Sequence, residues 1–124
     1  MRLTRRAFQR LVRQAMEELQ QEVLDVLDNV AIVVEDFPSA RQRETIDLGE
    51  GHTLFGLYEG VPLTQRSSHY GMVLPDKVTL FRRPLEAATS SSDELREEIK
   101  TTIVHEIAHH VGWSDDDLHR LGFA

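Results

Sequence analysis

The sequence contains no cysteine. That absence excludes disulfides and thiolate metal sites, so any bound metal must be held by histidine nitrogen or carboxylate oxygen. Long apolar runs are missing too. Nothing approaches the ~20 residues that cross a bilayer, and no membrane partner is expected. Positive charge is in deficit, with 14 Lys and Arg against 21 Asp and Glu. Phosphate backbones are bound by a net basic face, so nucleic acid is not an expected partner. No repeat or low-complexity tract breaks the 124 residues. That length suits one compact domain over 1–124, large enough to bury a core. The lack of cysteine and of a secretory signal places the expectation in the cytoplasm.

What is present is ordered by periodicity. The start, MRLTRRAFQRLVRQAMEELQQ, is Arg-rich and superficially like a transit peptide. Its apolar residues nevertheless continue with helical spacing through Ala7, Phe8, Leu11, Val12, Ala15, Leu19, Val23 and Leu27. The expectation is one long amphipathic helix packed on the domain. Arg2, Arg5 and Arg6 lie at its start, where the helix dipole favours anions, and read as a solvated cluster. The middle is β-like, with runs rich in β-branched residues at 28–36, 52–61 and 76–85 and a weaker fourth strand at Glu44–Leu48. A second long helix follows. Ser91 and Glu94 have the spacing of a capping box. Leu95, Ile99, Ile103 and Ile107, with Val104, Ala108 and Val111, form its apolar stripe, and Gly112 is its natural stop. Helix, strands, helix and a short last helix make an α+β fold.

Four of the six histidines fall within HEIAHHVGWSDDDLH, residues 105–119. His105 and His109 are four apart on the helix, so their rings share one face. Two imidazoles at that spacing can meet one ion at about 2.0–2.1 Å. Glu106 points about 100° round from His105, at the border of such a site, where a general base acts on metal-activated water. A third ligand must come from beyond the helix. Gly112 can adopt positive φ and turn the chain back sharply. Asp115 then comes within reach, and Ser114 with Asp117 has the spacing to cap a short last helix. His119 lies one turn after Asp115. It is either the partner of Asp115 or itself the third ligand. Asp116 points elsewhere. His110 is off the metal face and reads as surface or packing, and Trp113 as packing beside the turn. His52 and His69 have no nameable partner. Tyr70 could stabilise an oxyanion, although a surface tyrosine is the simpler reading.

His105-Glu106-Ile107-Ala108-His109 is the HExxH signature of zincin metallopeptidases. Its extension through Gly112 to Asp115, HExxHxxGxxD, resembles a metzincin-type site with aspartate in place of the more usual histidine. Together with LYEGVPLTQRS (57–67) and LPDKVTLFRRPLE (74–86), it makes the chain resemble the small bacterial zincin-like family of possible zinc metallopeptidases. The resemblance implies a minimal zincin-like fold, in which the N-terminal and active-site helices pack on a small mixed β-sheet beside a short C-terminal helix. It also implies one zinc ion, with His105, His109 and Asp115 as metal ligands, Glu106 as catalytic base, and a peptide or protein substrate. Metzincins carry a methionine turn after the third ligand, and no methionine follows Asp115 here. The expected groove is therefore shallow or completed by another chain. An extended peptide would pair with an exposed strand edge, either Thr53–Tyr58 or Lys77–Phe81. The alternative function is a non-catalytic, zinc-dependent protein-binding module. That reading requires a closed site with His105, His109, Asp115 and His119 all on the ion, whereas an enzyme keeps one position for water.

Overall fold

A computed structural model describes residues 1–48, 53–60 and 75–123. Helix α1 (Arg5–Glu17) begins at Thr4, whose hydroxyl accepts the Ala7 N–H at 3.1 Å. Phe8, Leu11, Val12 and Ala15 are its buried face. The expected single helix is in fact two. The chain is extended at Gln20 and restarts as α2 (Gln21–Leu27). The reason is geometric. Apolar residues stepping by four drift about 40° per step round a straight helix, which would carry Val23 and Leu27 off the core-facing stripe. The break returns both to the core, where they are buried.

Strand β1 (Val30–Glu35) follows. The segment Glu44–Leu48 is not a strand. It is the second half of helix α3 (Ala40–Leu48). A capping box decides this: Gln42 N–H donates to Ser39 Oγ at 3.1 Å, and Ser39 N–H donates to Gln42 Oε1 at 2.8 Å. Strand β2 (Gly56–Glu59) is shorter than expected, and residues 49–52 and 61–74 lie outside the described set. Strand β3 (Asp76–Phe81) ends earlier than the alternation to Leu85 predicts, because Arg82 opens helix α4 (Arg82–Ala87). Arg82 is buried and reaches Asp36 with Nε at 3.0 Å and Nη2 at 2.9 Å. Pro84 sits in the first turn of α4, where a missing N–H costs nothing.

The sheet order is β1-β3-β2, with β1 parallel and β2 antiparallel to β3. Against it lies α5 (Ser92–Val111), followed by the short α6 (Asp115–Arg120). Ser91 caps α5 by accepting the Glu94 N–H at 3.1 Å. The capping box is only half made, since Glu94 returns its carboxylate to Ser90 N and Oγ, not to Ser91. Leu95, Ile99, Ile103 and Ile107 are fully buried with Phe8, Val78 and Leu80 in one core. On the flank of α5, Arg96 and Lys100 both reach Glu18, at 2.9 and 3.1 Å, and tie it to the end of α1. Six helices and a three-stranded mixed sheet thus make an α+β fold among the described residues. None of these helices is long and apolar enough to cross a membrane.

Candidate active site

The C-terminal half of α5 carries His105, Glu106 and His109. The helix phase separates their environments. Both histidines are exposed, whereas Glu106, one step round, is turned inward and is 2% exposed. A carboxylate at that depth needs partners to offset its lost hydration. One of them is backbone: Tyr58 N–H on β2 donates to Glu106 Oε1 at 2.9 Å. The strand and helix come close enough because residue 56 is glycine. A Cβ there would stand 2.6 Å from Thr102 Cγ2 and 3.1 Å from the Thr79 carbonyl oxygen.

Beyond His109 the helix stops at Gly112, whose φ of 77° is left-handed. The N–H groups of Gly112 and Trp113 both donate to the Ala108 carbonyl, at 2.9 and 3.0 Å. Ser114 then starts α6 with a complete capping box. Its hydroxyl accepts Asp117 N–H at 3.1 Å, and Asp117 Oδ2 accepts Ser114 N–H at 2.8 Å. The Ser114 amide and then its hydroxyl hold the Asp117 carboxyl below the ordinary range. This turn brings Asp115 back toward α5. His105, His109, Gly112, Trp113, Asp115 and Leu118 line one cavity of about 410 Å³. His119 is exposed and is not among the residues lining it.

The donor set around this cavity fits a divalent ion: two imidazoles one turn apart and a carboxylate, with no thiolate needed. Among the described residues no three His, Asp or Glu side chains converge into a ligating group as they stand. His105 Nε2 instead lies 3.3 Å from the Phe123 carbonyl oxygen. The three donors are exposed.

His110 does not line the cavity shared by His105, His109 and Asp115; it is exposed and stacks on β2. Its ring stacks on Tyr58 with centroids 4.0 Å apart and planes 14° from parallel. Its Nε2 is 3.8 Å from Asp76 Oδ2, which also accepts the Tyr58 hydroxyl at 2.5 Å. Sequence reasoning missed Tyr58 and Asp76. The bond from Tyr58 to Glu106 is made by a main-chain amide, which leaves no mark on residue type. Asp76 had a signal, an acidic residue opening a β-branched run, but the sequence does not show that it pairs with Tyr58. Trp113 is half-buried against the core beside the turn. His52, His69 and Tyr70 lie outside the described residues. Of the two candidate edges for a bound strand, Lys77–Phe81 is excluded by topology, since β3 is flanked by β1 and β2. Among the described residues β2 is an edge strand, and its Tyr58 amide faces α5.

The chain matches the family described as "Zincin-like metallopeptidase" over residues 27–123. Among solved structures it is similar to a conserved hypothetical protein from Thermo thermophilus. The two share 24% identity at a TM-score of 0.52, covering 88% of this chain and 94% of that one. At that identity the likeness speaks for the fold alone. A search of the curated proteins gives no match.

Proposed function

We propose that this chain, which belongs to the zincin-like metallopeptidase family, is a zinc-dependent peptidase with Glu106 as catalytic base and His105, His109 and Asp115 as metal ligands. The observation that carries the reading is the division of labour on one helix. Two exposed imidazoles and Asp115 share a cavity, while the intervening carboxylate is buried and held by a backbone amide. A zinc ion bound there supplies Lewis acidity and makes water acidic near neutral pH, with a pKa of about 7.

The residues of the chain do the rest. Tyr58 N–H donates to Glu106 Oε1 at 2.9 Å and so helps hold the carboxylate in place. Glu106 takes a proton from the attacking water as the water oxygen bonds to the peptide carbonyl carbon. It then delivers the proton to the amine nitrogen as the C–N bond breaks. Strand β2, an edge strand among the described residues, lies beside Glu106 and would orient an extended peptide. The position of His119 outside the cavity supports three protein ligands and an open fourth position over a closed four-ligand site.

The test is Glu106→Gln, which keeps the shape and can still accept the Tyr58 amide. Zinc binding by calorimetry should persist, while cleavage of a mixed peptide library by the zinc-loaded protein falls by at least about 100-fold. Equal cleavage by wild type and variant would sink the reading.

A further inference from the structure

His105 also lines a second, smaller cavity of about 210 Å³. It is lined by Thr53 and Phe55, which lead into β2, and on α5 by Glu98, Thr101, Thr102, His105 and Glu106. We propose that this cavity is a substrate side-chain subsite and that Glu98 selects arginine or lysine at a position flanking the scissile bond. The inference rests on the peptidase reading and adds its substrate class.

Size, chemistry and charge all bear on it. The volume is below the about 300–1,000 Å³ of whole small-molecule sites, so it suits one long side chain. The polar lining carries two acidic residues, three threonines and His105. Thr102 Oγ1 donates its proton to the Glu98 carbonyl at 2.8 Å, so toward an incoming group it can only accept. Glu98 and Glu106 are both acidic, and among the described residues no lysine or arginine lines the cavity. Glu98 is half-buried and makes no ion pair among the described residues. The nearest cations on the helix, Arg96 and Lys100, are committed to Glu18 on another face. A guanidinium or ammonium entering along Phe55 would therefore meet an unneutralised carboxylate and several acceptors, a pairing stronger than a neutral hydrogen bond. Because His105 and Glu106 also line the cavity, a peptide whose side chain occupies it lies next to the proposed base.

The experiment uses the zinc-loaded full chain and peptides identical except for Arg, Lys, Leu or Glu at each position flanking the cleaved bond. Wild type should favour Arg and Lys over Leu in kcat/KM by about tenfold or more. Glu98→Gln should bring that ratio toward one, and Glu98→Lys should invert it in favour of Glu. The ratio is taken within each variant, so the folded fraction cancels. A basic preference that survives Glu98→Lys, or cleavage with no basic preference, overturns the subsite and leaves the peptidase reading standing. A second arm uses the metal-free chain and amide chemical shifts of Thr53, Phe55 and Thr101. An Arg-containing peptide should shift them in wild type and not in Glu98→Lys, while its Leu counterpart shifts neither. Equal shifts from both peptides overturn the proposal. If no peptide is cut but the shift difference holds, the peptidase reading fails and the basic subsite remains.

Discussion

Replacing Gly56 with alanine tests how tightly the strand and the site helix are pressed together. The added Cβ would stand 2.6 Å from Thr102 Cγ2 and 3.1 Å from the Thr79 carbonyl oxygen. Neither neighbour yields easily. Thr79 O belongs to the central strand β3. Thr102 is β-branched, buried, and held by its hydroxyl to the Glu98 carbonyl at 2.8 Å, so turning its methyl away breaks a hydrogen bond. Overpacking of this kind costs about 1–3 kcal/mol. Gly→Ala also removes freedom from the unfolded chain, which returns about 0.4–1 kcal/mol. The net expectation is a loss of about 1–2 kcal/mol, or roughly 4–8 °C in Tm for a domain of this length. Urea unfolding followed by the fluorescence of Trp113, the single tryptophan, reads it directly. The partner variant is Thr102→Ser, which deletes the offending methyl and keeps the hydroxyl. The double variant should recover about 1 kcal/mol relative to the sum of the single ones, above the additivity error of about 0.3–0.5. Gly56→Ala at or above wild-type stability, or strictly additive effects, would refute the close-approach argument.

The remaining expectations are shorter. Asp115→Asn should weaken zinc binding by about tenfold or more, and His119→Ala should leave it unchanged; the reverse order in a calorimetric titration would transfer the ligand role to His119. Arg120→Ala should release Glu22, whose carboxyl is held below its ordinary value of 4.5 chiefly by hydrogen bonds from Arg120 at 3.1 and 2.8 Å. Because that folded-state value is depressed, the associated stability is present above the ordinary value and is lost as pH falls through the folded one. Wild type and Arg120→Ala should therefore differ near neutrality and converge in acid; a gap that stays constant with pH would contradict this. NMR titration of Glu22 checks the cause. Asp117 should remain depressed in the same variant, because the Ser114 amide, ahead of Arg120, holds it.

How much was legible in the residues follows from how local each cause is. α5 could be read because its cap at Ser91, its four-residue apolar stripe and its stop at Gly112 all act within a turn or two. The α+β order and β1 were legible for the same reason. Helix α3 was misread although its signal was local: Ser39 and Gln42 have capping-box spacing, masked by the β-like look of Glu44–Leu48. The other two departures are tertiary. Alternation continues past Phe81, but Arg82 turns inward to meet Asp36, a partner 46 residues away in sequence. The apolar series from Phe8 to Leu27 looks unbroken, and the break at Gln20 returns Val23 and Leu27 to the core shared with β3 and α5.

For the site, the sequence alone determined what spacing on one helix determines: that His105 and His109 share a face, that Glu106 does not, and that Gly112 can reverse the chain. These follow from 3.6 residues per turn and from the absence of a side chain at position 112. Only the tertiary structure decided what surrounds them. It set Asp115, and not His119, on the wall of the cavity with the two histidines. It brought the Tyr58 amide to Glu106 across 48 residues, and it placed Glu98 in the lining of the smaller cavity with His105. The approach of β2 to α5 is set by the packing of the core and by the missing Cβ of Gly56, and no local pattern of residue types encodes that distance.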